Sequence, residues 1–315
     1  MKGVVLKSTG SWYQVRDLES HELFDCRIKG KFREAGIRST NPLAVGDFVE
    51  FEFEEKDEGQ GIISSIENRK NYIVRKSVNL SKREHIIASN MDQALLVTTL
   101  AQPMTSTGFM DRFLATAEAY SIPTVIVFNK IDVYGEQETM ELEYREAVYA
   151  SIGYIVLKTS ATEGQGLVEL KNLLKGKTTL LSGHSGVGKS TLVNTIEPKL
   201  NLRTGEVSHS HGKGQHTTTF AEMHPLSIGG DIIDTPGIKG FGMVNMEKEE
   251  ISHFFPELFA LSKKCRFHNC MHVNEPQCAV KAALEENKIA PTRYESYLNQ
   301  LNDYDEETHY RTTNH

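Results

Sequence analysis

One stretch in the second half of the chain, residues 180–191, restricts the possible fold more than any other part of the sequence. It reads Leu-Leu-Ser-Gly-His-Ser-Gly-Val-Gly-Lys-Ser-Thr and matches the phosphate-loop pattern G-x-x-x-x-G-K-[ST] from Gly183 to Ser190. The apolar residues 178–181 predict a buried strand before it, and residues 190–196 predict a helix after it. Since this strand–loop–helix context is what the pattern requires, the sequence predicts a nucleotide-phosphate site.

The residue types of this loop suit phosphate binding. Its glycines allow backbone N–H groups to turn toward an anion, and the N-terminus of the following helix adds a positive dipole end. Lys189 is expected to reach the β- and γ-phosphates, and Ser190 is expected to hold Mg²⁺. The predicted nucleotide contacts in this loop are Gly183, His184, Ser185, Gly186, Val187, Gly188, Lys189, Ser190 and Thr191.

A second pattern lies downstream of this loop. The tetrapeptide Asp-Thr-Pro-Gly at 234–237 follows two apolar residues and fits D-x-x-G at a strand end. Asp234 is predicted to bind Mg²⁺ through water, and the N–H of Gly237 is predicted to contact a γ-phosphate.

Two patterns upstream of the phosphate loop predict a guanine site. Asn129, Lys130 and Asp132 fit N-K-x-D after the predicted strand 124–128. The carboxylate of Asp132 can accept from the guanine N1–H and N2 amino group, a pair of donors that adenine lacks. Ser160 and Ala161 fit the short loop that contacts the guanine O6. All four patterns follow predicted strands, at the sheet edge where open α/β sheets bind ligands.

The order of the patterns along the chain is unusual. In an ordinary GTPase the phosphate loop comes first, whereas here N-K-x-D and the Thr-Ser-Ala loop precede it. Circular permutation explains this order, because a compact domain with neighbouring termini tolerates it. With these motifs the chain resembles, over nearly its whole length, the circularly permuted bacterial GTPases of small ribosomal subunit biogenesis, the RsgA or YjeQ family.

Strand and helix patterns predict three domains. Residues 1–70 contain five short strands, at 3–7, 12–16, 23–28, 47–54 and 61–67, which favour an OB-fold β-barrel. Residues 71–243 alternate strands and helices, as expected for an α/β P-loop GTPase domain with a mostly parallel sheet. Residues 77–90 are predicted to be a loop. Residues 244–315 predict a mostly helical zinc-binding domain, with helices at 249–259, 279–287 and 292–303 and an unstructured tail at 308–315.

The C-terminal domain carries a metal-binding pattern, C-x4-C-x-H-x5-C. Three thiolates and one imidazole suit a closed, tetrahedral structural Zn²⁺ site, and this cysteine spacing favours metal over disulfides in a reducing compartment. The family resemblance implies the same zinc motif. The predicted ligands are Cys265, Cys270, His272 and Cys278. His268 is expected to face solvent, and the isolated Cys26 to be an inert buried thiol.

Residues 201–219, rich in glycine and histidine, occupy the position of switch I, which orders around Mg²⁺ and the γ-phosphate. The resemblance identifies G-x-H-T-T-T at 214–219, and Thr218 is the preferred Mg²⁺ ligand, with Thr217 and Thr219 as alternatives. The residue after D-x-x-G is Ile238, which cannot orient water as a glutamine does. His216 is the candidate for that role by residue type and position, and the resemblance implies it.

Two basic regions are candidates for RNA contact. One, in the predicted barrel, is interrupted by an aromatic residue, as is typical of oligonucleotide-binding barrels, and it comprises Lys29, Lys31, Arg33 and Arg38. The alternative is a solvated charged loop, but the resemblance implies a barrel that contacts ribosomal RNA. The other region lies in the C-terminal domain and comprises Lys263, Lys264, Arg266 and Arg293.

Composition sets wider limits. The chain has 315 residues and a formal net charge of −7, which argues against nonspecific wrapping by nucleic acid. The sequence has no apolar run near the roughly 20 residues of a membrane span, and the N-terminus lacks the apolar core of a signal peptide. We therefore expect a cytoplasmic monomer that binds neither membrane nor DNA.

These inferences favour one function over two others. The leading hypothesis is a GTP hydrolase that uses GTP, Mg²⁺ and one structural Zn²⁺, with Lys189 and His216 as catalytic residues. The resemblance implies that it acts as a switch on the 30S subunit and its 16S rRNA. Ile238 supports an alternative, a nucleotide-gated RNA-binding module with negligible turnover. Asp132 argues against a third possibility, an ATP-dependent RNA enzyme. Because the predicted switch II at 238–242 leads into the C-terminal domain, the nucleotide state is expected to set the orientation of that domain.

Overall fold

The computed structural model describes residues 1–28, 42–53, 60–75, 85–202, 221–235 and 246–312. Its N-terminal strands form a barrel: β1 (Lys2–Ser8), β2 (Tyr13–Asp17), β3 (Leu23–Ile28), β4 (Phe48–Phe53) and β5 (Gln60–Ile66). They pair in the order β1-β2-β3-β5-β4, and β4 pairs back onto β1. Alternate side chains such as Val5, Val15 and Phe51 fill the interior, because successive side chains of a strand point to opposite faces. The prediction of an OB-like barrel is confirmed.

A two-stranded sheet follows the barrel, formed by β6 (Tyr72–Arg75) and β7 (His85–Ser89). The prediction of a loop over 77–90 is therefore wrong for the residues of β7. Ile86 and Ala88 are buried, and Ala88 also bridges to Val45 beside the barrel. The strand is short and forms through these tertiary pairings, which local sequence does not reveal.

Within the described ranges, six further strands continue the same sheet as the barrel strands: β8 (Gln93–Thr98), β9 (Thr124–Phe128), β10 (Ile155–Lys158), β11 (Thr178–Ser182), β12 (Glu222–Pro225) and β13 (Asp231–Asp234). They lie in the order β10-β9-β8-β11-β13-β12, and β12 is antiparallel to its neighbour β13 while the other pairs are parallel. The helices between them are α1 (Thr107–Ala119), α2 (Glu136–Ile152), α3 (Leu167–Leu174) and α4 (Lys189–Ile196).

Helices cover both faces of this sheet. Along β8, Ala94 and Leu96 belong to one hydrophobic cluster, whereas Leu95 and Val97 belong to another on the opposite face. A strand buried on both faces in this way is typical of parallel sheets. The chain steps outward from β8 to β10, returns to β11 and then steps outward in the other direction. The winding therefore reverses between the neighbours β8 and β11, which is where such sheets bind ligands.

The barrel and the GTPase sheet are continuous. Strand β12, which the sequence did not predict, pairs antiparallel with β1 at Lys7 and Glu222. Arg16 on β2 donates two hydrogen bonds, of 2.7 and 2.9 Å, to the carboxylate of Asp231 on β13. These contacts fix the barrel against the edge of the GTPase sheet.

The C-terminal part contains a 3₁₀ segment (Lys248–Phe254), α5 (Pro256–Ser262), α6 (Ala279–Glu285) and α7 (Pro291–Thr312). The helix predicted over 249–259 is therefore two segments, because Pro256 lacks an N–H and disfavours the helical conformation of the residue before it. Phe255 is accordingly extended, with φ −112° and ψ 96°.

Helix α7 also differs from the prediction, since it continues to Thr312. The unstructured tail predicted from residue 308 is thus wrong as far as residue 312. Tyr297 and Leu301 in the first half of α7 are buried. A helix that is already nucleated and packed in this way extends at little cost. No helix among the described residues is both long and apolar enough to cross a membrane.

Candidate nucleotide and metal sites

The phosphate loop lies between the end of β11 and the start of α4, and its glycines are sterically required. Gly183 and Gly188 have φ values of +139° and +93°, in the region that favours glycine. A Cβ on Gly183 would lie 2.2 Å from the carbonyl oxygen of Val97 on β8, and one on Gly188 would lie 2.5 Å from Nδ2 of Asn129. The loop can therefore pack against β8 and the N-K-x-D loop only without side chains at these two positions.

Lys189 is turned back onto the phosphate loop. Its Nζ donates to the carbonyl oxygens of Gly183 and His184, each at 2.7 Å. Burial lowers the pKa of Lys189, and the carboxylate of Asp234 opposes that shift. Burial likewise raises the pKa of Asp234, opposed by the charge of Lys189. The two predicted phosphate and Mg²⁺ residues thus share one desolvated region, where a charged phosphate oxygen is a stronger acceptor for the lysine than a carbonyl oxygen.

Asn129 connects two of the predicted nucleotide loops. It is buried at the end of β9. Its Nδ2 donates to the carbonyl oxygen of Val187 in the phosphate loop at 3.0 Å. Its Oδ1 accepts from the hydroxyl of Thr159 at 3.0 Å. The sequence placed Thr159 in the Thr-Ser-Ala loop without giving it a role, and the structure shows that it orients Asn129.

Asp132 lies beside the Thr-Ser-Ala loop and is exposed. One of its carboxylate oxygens accepts from the hydroxyl of Thr162 at 3.4 Å, and this hydroxyl lies 3.0 Å from Oγ of Ser160. Lys130 has a positive φ of 63°, and its Nζ donates to the carbonyl oxygen of Gln102 at 2.9 Å. The predicted base-binding residues are therefore brought together on one side of the phosphate loop.

Ala161, in the Thr-Ser-Ala loop, is buried, and its carbonyl oxygen accepts from the hydroxyl of Thr195 on α4 at 3.3 Å.

Some predicted site residues lie outside the described ranges: Gly237, His216, Thr218, Lys29, Lys31, Arg33 and Arg38. Their predicted roles stay predictions.

The predicted zinc ligands converge, with one ligand atom from each residue and all four within 4.8 Å of one another. Sγ of Cys265 lies 3.9 Å from Sγ of Cys278. Nδ1 of His272 lies 3.7 Å and 3.4 Å from these two sulfurs. A tetrahedral zinc with Zn–S bonds of about 2.3 Å requires sulfur–sulfur edges of about 3.8 Å. The cluster therefore fits a four-coordinate Zn²⁺.

A turn between the ligands is held by side chains that the sequence analysis did not single out. The carboxylate of Glu275 accepts from the N–H groups of Met271 and Val273, both at 2.9 Å. Burial would raise the pKa of Glu275, but these N–H donors outweigh it and lower the pKa. The hydroxyl of Tyr294 donates to the carbonyl oxygen of His272 at 2.6 Å. These bonds fix the backbone on either side of the histidine.

Burial raises the thiol pKa of two cysteines, one in the zinc cluster and one in the barrel. Burial raises the pKa of Cys270 to about 12, and the nearby thiol of Cys278 also raises it. Cys26 is fully buried in the barrel, where burial raises its pKa to about 12 as well. The predicted burial of the Cys26 thiol is confirmed, its inertness stays a prediction, and His268 is exposed as expected.

One predicted RNA contact is wrong. Arg293 is 1% exposed and forms ion pairs with Asp111 at 2.7 Å and Glu257 at 2.6 Å. Its charge is thus used inside the protein, which a basic position in a sequence does not show. Lys263, Lys264 and Arg266 are exposed.

The fold and the phosphate loop define a P-loop GTPase with a permuted order of motifs. The RsgA GTPase family matches residues 66–244, and the RsgA N-terminal domain matches residues 2–63. The chain therefore belongs to the RsgA GTPase family and is a GTP-hydrolysing enzyme.

Similar proteins support this assignment. Two relatives, each called small ribosomal subunit biogenesis GTPase RsgA, come from Flavobacterium psychrophilum and Christiangramia forsetii. They are 58% and 55% identical over 99% of this chain, covering 95% and 98% of their own lengths. The crystal structure of YjeQ from Thermotoga maritima matches with a TM-score of 0.77 and 37% identity, covering 96% of this chain and 97% of that one. The structure of YloQ, described as a circularly permuted GTPase, matches with a TM-score of 0.74 and 29% identity, covering 97% and 95%.

Proposed function

We propose that this protein is a GTPase switch in the maturation of the small ribosomal subunit. The observation that carries the proposal is identity of 55–58% over 99% of the chain with GTPases named for small-subunit biogenesis. The matched residues span the barrel and the C-terminal part as well as the GTPase domain, so the likeness extends to the parts that would contact a partner. A function in the maturation of this subunit would place the protein in the cytoplasm.

Guanine nucleotide would bind at the edge of the sheet between β8 and β11. Asp132 would accept from the guanine N1–H and N2 amino group. Asn129 would hold the phosphate loop and the Thr-Ser-Ala loop in register, through its 3.0 Å bonds to Val187 and Thr159. Backbone N–H groups of the phosphate loop would surround the phosphates, and Lys189 would exchange its carbonyl partners for phosphate oxygens.

Hydrolysis requires the transition-state charge to be stabilised and a water to be oriented. Lys189 and the loop N–H groups would supply part of the stabilisation. Ser190, Asp234 and Thr218 would hold Mg²⁺, which neutralises charge on the phosphate oxygens when bound. His216 would orient the attacking water. The position directly after D-x-x-G, where many GTPases have a water-orienting glutamine, is Ile238 here, so another residue must take this role.

The C-terminal cluster would hold one Zn²⁺ through Cys265, Cys270, His272 and Cys278. The distances among the ligand atoms of Cys265, His272 and Cys278 suit the edges of a tetrahedral site, all four ligand atoms lie within 4.8 Å of one another, and four protein ligands leave no position open for chemistry. The ion would therefore stabilise the fold of this domain. Zinc content measured by elemental analysis should be one per chain, and Cys278→Ala should reduce it; a wild-type protein purified without metal that keeps its fold would contradict this role.

The protein would contact 16S rRNA through its two outer domains. On the N-terminal domain, the RNA phosphates would be contacted by Lys29, Lys31, Arg33 and Arg38. On the C-terminal domain, they would be contacted by Lys263, Lys264 and Arg266. Lysine and arginine contacts to phosphates give affinity that falls steeply with salt. In its GTP state the protein would bind the subunit as a monomer, and hydrolysis would favour release.

Co-sedimentation with purified small subunits tests the switch. The protein should pellet with these subunits in the presence of a non-hydrolysable GTP analogue and dissociate in GDP. Equal binding in both nucleotides would contradict the proposal. His216→Ala should keep the analogue-dependent binding but lose most hydrolysis on the subunit; unchanged hydrolysis would assign the water to another residue.

A further inference from the structure

Helix α1 is shared by two hydrophobic cores. Met110, Phe113 and Leu114 belong to the core of the GTPase sheet, whereas Ala115 belongs to the core of the C-terminal domain. Asp111 is fully buried and lies one turn before Ala115, on the same side of the helix. The helix therefore forms part of the interface that holds the C-terminal domain.

Arg293 of α7 fastens the C-terminal domain to this helix. Its Nη1 donates to Oδ1 of Asp111 at 2.7 Å, and its Nε and Nη2 donate to the carboxylate of Glu257 at 2.6 and 3.1 Å. The guanidinium lies 4.7 Å from the ring centroid of Phe255. Burial would lower the pKa of Arg293, but Asp111 and Glu257 outweigh it and raise the pKa. The arginine therefore stays charged, and it joins α1 to both α5 and α7.

The first turn of α1 contacts the phosphate loop. The ring of Phe109 stacks on the ring of His184, with centroids 3.6 Å apart and planes 30° apart. The N–H of Phe109 donates to the capping hydroxyl of Ser106 at 3.3 Å, which fixes this residue at the start of the helix. The carbonyl oxygen of His184 in turn accepts from Nζ of Lys189 at 2.7 Å. Phe109 thus contacts His184, whose carbonyl oxygen binds the side chain of Lys189.

We infer that Phe109 is a positioning residue for the phosphate loop, and that Arg293 makes docking of the C-terminal domain part of this positioning. Phe109 and Asp111 lie two residues apart on one helical turn, so a shift of one displaces the other. The inference rests on the proposed nucleotide site and adds a route by which the C-terminal domain reaches it. This route is separate from the direct chain link between D-x-x-G and that domain, residues 238–243.

Hydrogen exchange of the full chain without nucleotide tests the route. Phe109→Leu removes the stack but keeps apolar bulk and leaves the buried charges intact, whereas Arg293→Met removes the anchor. Both should speed exchange of the amides at 183–189 at least threefold, while those of β8 keep their rates. Phe109→Tyr should restore the wild-type rates. Arg112→Gln is the matched control, because Arg112 pairs with Asp303 between the same two helices but both side chains are about half exposed, and such pairs contribute little.

GDP affinity gives a second readout. Phe109→Leu should weaken it by about 2- to 12-fold, the change that corresponds to the about 0.5–1.5 kcal/mol of an aromatic pair. The double variant Phe109→Leu/Arg293→Met should bind no more weakly than the worse single variant, because residues acting along one path are not additive.

Two results would overturn the inference. One is unchanged exchange at 183–189 in both Phe109→Leu and Arg293→Met. The other is faster exchange confined to residues 256–312 with wild-type GDP affinity, which would make Arg293 a structural anchor alone. A wild-type protein that bound no guanine nucleotide would refute the proposed function instead, and the exchange rates at 183–189 would still decide this inference.

Discussion

Replacing Asp47 with asparagine is expected to destabilise the N-terminal barrel strongly. Asp47 is fully buried just before β4. Its Oδ1 accepts from Nε of Arg69 at 2.7 Å and from Oγ of Ser89 at 2.6 Å. Its Oδ2 accepts from Nη2 of Arg69 at 2.6 Å and from the N–H of Ala44 at 2.8 Å. Since each oxygen has two donors, the amide nitrogen of an asparagine would face two donors in either orientation.

The size of the effect follows from the burial of this network. Removing one partner of a buried ion pair costs about 3–5 kcal/mol, because Arg69 keeps its charge without a carboxylate. Burial would lower the pKa of Arg69, but Asp47 outweighs it and raises the pKa, so the arginine stays charged. A whole domain is stable by only about 5–15 kcal/mol. The variant barrel should therefore retain little stability.

Tryptophan fluorescence measures this effect locally, because the chain has one tryptophan, Trp12, and it lies beside β2 of the barrel. At a typical urea m-value of about 2 kcal/mol per molar, a loss of 4 kcal/mol moves the fluorescence midpoint down by about 2 M. The matched control is Glu67→Gln, since Glu67 pairs with Lys2 at an exposed site, where such a pair contributes little to stability. A shift for Asp47→Asn no larger than that of the control would refute the reasoning.

Three further predictions follow from the sites. Asp132→Asn should weaken GTP binding by about 5- to 150-fold, because a bidentate base contact contributes about 1–3 kcal/mol. The variant should also bind a xanthine nucleotide more tightly, because the C2 oxygen of xanthine accepts from the new amide. Competition titration measures both affinities, and an unchanged GTP affinity would exclude Asp132 from the base site. Gly188→Ala should weaken nucleotide binding, because Gly188 has a φ of +93° that alanine adopts only with strain, and because its Cβ would lie 2.5 Å from Nδ2 of Asn129. Gly108→Ala, with open space around the Cβ, should bind normally. The thiol of Cys26, with a pKa of about 12, should resist a disulfide reagent at pH 8 until the barrel unfolds, and rapid labelling would contradict its burial. Since its folded-state pKa is raised, the stability it contributes is fully present below its ordinary pKa of about 8.5 and is lost as the pH rises toward 12.

Local patterns in the sequence predicted much of the fold. The phosphate loop and N-K-x-D have fixed spacings, and each follows an apolar strand, so their meeting at one sheet edge could be predicted from chain order alone. The alternation of apolar and polar residues placed the barrel strands within one or two residues. The Cys-His spacing likewise predicted a cluster that converges in the structure.

Long-range contacts were not predictable in the same way. Strands β7 and β12 have only five and four residues, too few for a local period to mark them, although each pairs with a strand close to it in the chain, β6 and β13 respectively. Arg293 resembled a surface cation in the sequence because its partners Asp111 and Glu257 lie 182 and 36 residues away. The stack of Phe109 on His184 joins two elements far apart in the chain, and the packing of α1 brings them together.

The most direct test of the proposed function is the rate of GTP hydrolysis by the full-length protein with and without purified small ribosomal subunits. ATP in place of GTP and large subunits in place of small ones are the controls. The account predicts strong stimulation with GTP and small subunits together and none in either control. Equal stimulation by large subunits, or none by small ones, would contradict it.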